Sequence, residues 1–321
     1  MFGPKPPGPP PPPSPPPERG TFTAAAGITL AAALRGALPG SSWNEVRRLV
    51  ASGKVTVDGA AVTDPSLRLA GGEALAWRLS APDPRRAPPA GFRVVHEDVH
   101  VIVIDKPEGI MSVPYERKDT GTALDLVREA WRRQGRRATT TPLYVVHRID
   151  KDTSGLLCFA KTKPGERGLH RIFKQHLAER AYLAVAHGDV RPGRIESQLV
   201  PDRGDGLRGS TSRPAEDAQR SVTHVRVIER LPAATVCSVR LETGRTHQIR
   251  IHLAEAGHPL VGETVYIRDF TRDGRPLLPA QRLLLHAATL GFEHPVTGAP
   301  LRWESPLPPA FVAAVEELRR G

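Results

Sequence analysis

Cysteine is scarce in this chain: there are two in 321 residues, Cys158 and Cys237, each in an apolar stretch. Neither stands in a CxxC spacing, which argues against a disulfide framework or a cysteine-rich zinc site and leaves buried thiols in a reducing compartment as the expectation. Long apolar runs are absent too. None approaches the roughly 20 residues a membrane-spanning helix needs, and the N-terminus lacks the basic-then-apolar order of a signal peptide. A cytoplasmic protein without a membrane partner is expected. Acidic residues are outnumbered, 34 against 45 Lys and Arg, for a formal net charge of +11. Such an imbalance in an otherwise globular composition points to a polyanionic partner, although many basic proteins bind nothing acidic.

What is abundant at the front is proline, with eleven in the first twenty residues. Residues 1–20 therefore read as a solvated, disordered tail that joins no core. From Ile28 to Leu79 the pattern becomes compact. Leu30 and Leu34 open an apolar face, Ser42 and Glu45 form a capping box for a helix carrying Val46, Leu49 and Val50, and Gly53 ends it. Val55 and Val57 then alternate before an Asp58-Gly59 turn, and strand-like pieces around Val62, Leu67 and Leu69 stop at Gly71-Gly72. Residues 28–80 thus form a small helix-rich domain with short strands, residues 81–91 a proline-rich linker, and residues 92–321 a larger domain.

In the larger domain strand-like runs alternate with amphipathic helices. VHVIVID is followed by a helix with Leu124, Val127 and Trp131, then PLYVV, GLLCFAKT and a helix through Leu169, Ile172, Phe173 and Leu177. That alternation predicts an α+β domain. HRIDKDTSG, residues 147–155, falls between two of the apolar strands, where a turn would display polar side chains beside a rigid sheet. Taken alone it reads equally as an ordinary surface loop.

Five blocks in order change that balance: VIVIDKPEGIMSVP, HRIDKDTSGLLCFAKT, RAYLAVAHG, LETGRTHQIRIHLAEAGHPLVGETVY and RLLLHAATLGFEHPVTG. Together they resemble the RluA-type pseudouridine synthases from Phe92 to about Pro308. The front domain, with WNEVRRLVASGKVTVDGAAVTDPSLRLAGGEAL at its core, resembles a small RNA-binding module named for a ribosomal protein. The resemblance implies a mixed, mainly antiparallel sheet with flanking helices, and isomerisation of uridine to pseudouridine in structured RNA without metal or cofactor. It places the family's catalytic aspartate on Asp150, its active-site tyrosine on Tyr182 and the basic partner of the aspartate on Arg250. Arg148 falls where the family has the arginine that fills the space left by a flipped base. Arg47, Arg48 and Lys54 fall where the front module meets phosphate, contacts that position RNA without reading its sequence. Two positions depart from the family's habit: isoleucine at 149 where leucine is usual, and arginine at 180 where lysine is frequent.

The chemistry demands such residues. The bond from the sugar C1′ to the uracil nitrogen must break, the base must turn while bound, and its C5 must join C1′. A carboxylate serves either as nucleophile at C1′ or as the base that removes the 2′ proton. Both require it ionised, which a bidentate arginine such as Arg250 would favour. Tyr182 offers a face for stacking uracil and a hydroxyl for proton transfer. His147 is expected to make a structural hydrogen bond. A helix is expected from Thr246, capped by its hydroxyl, to Gly257, with His247 and Arg250 on one face. Arg245 and His252 suit either phosphate contact or packing. Arg132, Arg133, Arg136 and Arg137 read as a positive helix end.

Large-subunit ribosomal RNA is the expected substrate, transfer RNA the alternative, and a monomer the expected form. Two competing classes remain. A non-catalytic RNA-binding protein would explain the charge and the front module, though not Asp150, Tyr182 and Arg250 together. A carboxylate glycosidase would need a second acid across the scissile bond, and no paired carboxylate motif stands out.

Overall fold

The computed structural model describes residues 17–79, 89–116, 119–136, 141–213 and 215–321. The chain divides into two compact units, Met1–Pro88 and Pro89–Gly321. Residues 81–88 of the expected linker lie outside the described residues.

In the first unit, helices α1 (Leu30–Ala37) and α2 (Trp43–Ala51) cover a four-stranded antiparallel sheet of β1 (Arg19–Thr23), β2 (Val55–Val57), β3 (Ala60–Val62) and β4 (Ala74–Arg78), in the order β1-β4-β2-β3. The capping box forms as expected: Glu45 N–H donates to Ser42 Oγ at 3.2 Å, and Ser42 N–H donates to Glu45 Oε2 at 2.7 Å. Leu30, Leu34, Val46, Val50, Val55, Leu75 and Trp77 make the core. Two expectations are corrected. Arg19 and Gly20, assigned to the tail, are strand residues of β1. Gly20 pairs with Trp77, where a Cβ would meet the indole at 2.1 Å, so the strand needs glycine there. Leu67 and Leu69 lie in no strand. Their carbonyls accept from Leu30 N–H and Gly27 N–H, which commits that segment to the loop before α1, and the strand follows the glycine pair instead.

The second unit is built on an eleven-stranded sheet. Its strands are β5 (Arg93–Glu97), β6 (Val101–Lys106), β7 (Tyr144–Val145), β8 (Ser154–Ala160), β9 (Glu179–His187), β10 (Gly193–Val200), β11 (Gly209–Thr211), β12 (Gln219–Arg230), β13 (Ala234–Leu241), β14 (Leu285–Glu293) and β15 (Pro300–Glu304). They run β11-β10-β12-β13-β9-β14-β8-β6-β5, with β15 on β14 and β7 on β8. Every pairing is antiparallel except β14 with β8, which meet in parallel at His286↔Ser154 and Ala287↔Gly155. The α+β, mainly antiparallel expectation holds.

Helices α3 (Ala123–Arg133), α4 (Lys163–Lys174), α5 (Gln248–Glu255), α6 (Arg268–Arg272) and α7 (Pro309–Arg320) complete the unit. Alternation along β6 sends Ile102 and Ile104 into one core with Val127 and Trp131 of α3, and Val101 and Val103 into another with Leu169 and Ile172 of α4. Strand β8, buried at all seven positions, lies between these cores, which is why its sequence is an unbroken run of apolar and small residues. Leu177, expected on α4, stands beyond its end and is exposed, because His176 takes a left-handed φ of 59° and turns the chain. Of the expected basic helix end, Arg132 and Arg133 pair with Glu129, and Arg136 with Glu97. Arg137 lies outside the described residues.

Candidate active site

The loop from Val146 to Thr153 joins β7 to β8 and is pinned by the segment that follows β6. Ser112 Oγ donates to the Ile149 carbonyl at 2.7 Å and accepts from Ile149 N–H at 3.2 Å. Lys106, fully buried, donates to the carbonyls of Pro107, Ile110 and Lys151 at 2.9, 2.7 and 2.9 Å. Burial pushes its ammonium down to about 7, against the pull of Asp150 and Asp152. The sequence reading gave Lys106 and Ser112 no role. Two hydrogen-bonding groups on DKPEGIMS, far along the chain from HRID, carried no local signal.

His147 is structural, as expected. Its Nε2 accepts from Cys158 N–H at 3.0 Å and its ring stacks on Phe173, centroids 4.4 Å apart. Burial, with Arg180 second, pushes it down to about 3, so it is neutral. At the other end of the loop Gly155 has φ 110°, and a Cβ there would strike the Ala287 carbonyl oxygen at 2.3 Å. Only glycine lets β8 approach β14 so closely. Ser154 Oγ adds hydrogen bonds to His286 Nδ1 at 2.8 Å and from Arg282 at 2.7 Å.

Asp150 and Tyr182 share one open cleft of roughly 510 Å³, lined also by Arg148, Phe173, Lys174, Arg180, Arg245 and Gln248. Sheet order explains the meeting. Tyr182 on β9 pairs with Ala287 on β14, and Ala287 pairs with Gly155 on β8, so the tyrosine and the end of the HRID loop are two strand spacings apart, about 10 Å. The Asp150 carboxylate, 16% exposed, accepts no hydrogen bond among the described residues. Burial, opposed by Arg180, raises the Tyr182 phenol, which keeps its proton at neutral pH. Arg148 is exposed on the rim. Arg180 donates to the Glu242 carbonyl at 3.1 Å, while its buried Nε has no hydrogen-bond partner among the described residues.

Arg250 departs from expectation. Its bidentate partner is Glu263, not Asp150: Nε donates to Oε2 at 2.7 Å and Nη2 to Oε1 at 2.6 Å, with both side chains buried. Glu263 is fixed in turn by the N–H groups of Thr264, Val265 and Tyr266. A carboxylate so held in a dry site claims the guanidinium outright, and Arg250 acts on Asp150 only as a nearby charge.

Helix α5 also starts differently. Thr246 does not cap it. His247 stands at the cap position with φ 58°, and Gln248 organises the turn by accepting from Thr243 Oγ1 at 2.7 Å and Arg245 N–H at 3.1 Å. His252 is packing, 1% exposed, with hydroxyls of Thr223 and Ser197 on its two nitrogens. Arg245 is exposed at the cleft. In the first unit Arg47 and Arg48 are exposed on α2 and Lys54 is half-buried before β2.

An open cleft that brings an aspartate carboxylate free of hydrogen bonds among the described residues and a tyrosine together under a basic rim, on an antiparallel-dominated sheet, suits an enzyme acting on a polyanion. Residues 100–255 match the family described as RNA pseudouridylate synthase, and residues 30–75 match the S4 domain. The chain is 34% identical over 298 residues to a ribosomal large subunit pseudouridine synthase D of Vibrio parahaemolyticus, covering 87% of each chain. It is 35% identical over 305 residues to the protein of the same name from Nitrosomonas europaea, covering 92% of this chain and 85% of the relative. The solved structure of human RNA pseudouridylate synthase domain containing 1 superposes with a TM-score of 0.54 at 25% identity, covering 70% of this chain and 87% of that one. The chain belongs to the RluA-type RNA pseudouridine synthases and carries an N-terminal S4 RNA-binding domain.

Proposed function

We propose that this synthase isomerises a uridine in large-subunit ribosomal RNA, with Asp150 as the catalytic carboxylate. The observation that carries the reading is the Asp150 carboxylate itself, free of hydrogen bonds among the described residues in a cleft it shares with Tyr182 and a basic rim. In this reading the target uridine leaves its stack, at a cost of a few kcal/mol, and Arg148 takes its place. Uracil stacks on Tyr182 while Asp150 acts at C1′ as nucleophile or at C2′ as base. Arg250 lends positive charge from behind Glu263's clamp, and Arg47, Arg48 and Lys54 contact phosphate.

The ribosomal substrate is supported by the names of the relatives, and transfer RNA is the competing choice. The working form is a cytoplasmic monomer; no helix of the described residues is long and apolar enough to cross a membrane. Incubating the protein with unmodified large-subunit ribosomal RNA and, separately, with unmodified transfer RNA, then counting pseudouridine by mass spectrometry after chemical derivatisation, tests the reading. Pseudouridine confined to transfer RNA would overturn the substrate.

A further inference from the structure

Among the described residues the Asp150 carboxylate lies within ion-pair distance of His247, whose Nε2 is 4.0 Å from Asp150 Oδ1. Three features set its ring there. Its backbone is left-handed, φ 58° and ψ 17°, a conformation that non-glycine residues adopt at a cost and that clusters at functional sites. It stands at the start of α5, where its carbonyl accepts from Ile251 N–H at 2.9 Å while its side chain makes no cap and is left to point elsewhere. On its other side Nδ1 meets the Tyr266 hydroxyl at 2.7 Å, the two rings edge to face.

We infer that the Tyr266–His247 pair is a positioning device for the reaction, presenting an Nε2–H to Asp150 and fixing the carboxylate's rotamer for attack. The inference rests on Asp150 being the catalytic carboxylate. Burial pushes the Tyr266 hydroxyl up to about 12, so it holds its proton and is able to donate it to Nδ1; the tautomer this arrangement selects carries the imidazole's own proton on Nε2. Burial also lowers the imidazole, which is neutral; Asp150 and Glu263 pull the other way, and Arg250 and Arg208 add to the lowering. Tyr266 is itself anchored, its N–H on Glu263 Oε1 and its ring 5.4 Å from the Arg250 guanidinium carbon. The same Glu263 that takes Arg250 away from Asp150 therefore holds the tyrosine that supplies the replacement. Neither His247 nor Tyr266 is among the residues lining the cleft that holds Asp150 and Tyr182, which suits a pair that acts through Asp150. A separation of 4.0 Å closes to a hydrogen bond by a small rotation when substrate binds, as such contacts do.

The test uses the full chain with His247→Ala, His247→Gln, Tyr266→Phe and Asp150→Asn, measuring single-turnover rate at saturating RNA, RNA affinity and melting temperature. His247→Ala is expected to lose about 30-fold in rate with affinity within about twofold. Glutamine, whose amide N–H reaches toward the place of Nε2–H, should recover most of that loss. Tyr266→Phe should cost about fivefold alone and nothing further in the His247→Ala background, because the two act as a unit. A His247→Ala rate close to wild type, or equal losses for alanine and glutamine at matched melting temperature, would overturn the inference while an inactive Asp150→Asn kept the wider reading intact. An active Asp150→Asn would bring down both. If alanine at 247 fails to fold, His247→Gln and Tyr266→Phe decide: additive losses in the His247→Gln/Tyr266→Phe double variant reject the pair.

Discussion

The buried ammonium of Lys106 donates to the carbonyl oxygen of Lys151, one residue beyond Asp150, at 2.9 Å. That bond crosses from the end of β6 to the loop before β8 and, with Ser112 on Ile149, fixes the backbone on both sides of the aspartate. Lys106→Met keeps the length and removes the donors, leaving three carbonyls short. A destabilisation of about 1–3 kcal/mol and a fall in turnover larger than any change in RNA affinity are expected, read by denaturant titration and single-turnover kinetics. Turnover equal to wild type would show that the loop keeps its shape without the lysine.

Asp150→Asn should abolish pseudouridine formation while fold and RNA binding survive. The amide is almost isosteric, and Thr153 N–H still reaches the residue-150 carbonyl. Neither candidate mechanism can use an amide as nucleophile or base. RNA affinity should hold or rise slightly, since a negative charge beside phosphate is gone. Measurable turnover in a protein of matched circular dichroism would remove Asp150 from the mechanism.

Deleting residues 1–16 should leave activity and melting unchanged, whereas deleting residues 1–23 should not. The longer deletion removes β1, its five register pairs with β4, and the Trp77 Nε1–H bond to the Pro17 carbonyl at 3.1 Å. Limited proteolysis of the two truncated chains distinguishes them, with the S4 domain cut readily only in the shorter one.

Replacing Arg47 and Arg48 together by glutamine should weaken RNA binding and flatten its salt dependence by about two phosphate contacts. Rate at saturating RNA should barely change, because the S4 domain supplies no reacting group. A loss confined to the rate would contradict this division of labour.

His252 gives the stability a pH dependence of known sign. Burial holds its imidazole down to about 4, below the usual 6.5 of the unfolded chain. Between those values the unfolded state binds a proton the folded state refuses, so stability is full above 6.5 and falls with decreasing pH, by up to about 1.4 kcal/mol per unit from this group. His252→Asn should be less stable at pH 7 yet show a shallower decline toward pH 4 in urea titrations. An unchanged slope would assign the acid sensitivity elsewhere.

Local patterns were legible where one element carried the whole signal. The Ser42–Glu45 cap, the buried run of β8 and the polar loop before it could be read from neighbouring residues. Strand β1 could not, because its partner β4 lies more than fifty residues on and proline crowds its front. Arg250 was located, but its true partner is thirteen residues away, past the end of α5, and periodicity does not reach that far. Glu263 and Tyr266 carry no role in the sequence, since it takes the folded turn, whose backbone N–H groups hold the Glu263 carboxylate, to bring Glu263 onto Arg250.

The parallel seam between β8 and β14 bears on how the enzyme comes into being. Strands β8 and β9, which bring Asp150's loop and Tyr182, are not neighbours; β14 is inserted between them, and it begins only at Leu285. A growing chain has therefore made every proposed catalytic residue before it owns the strand that gathers them. Until Ala287 is made and paired with both Tyr182 and Gly155, the strands that bring aspartate and tyrosine have no common wall.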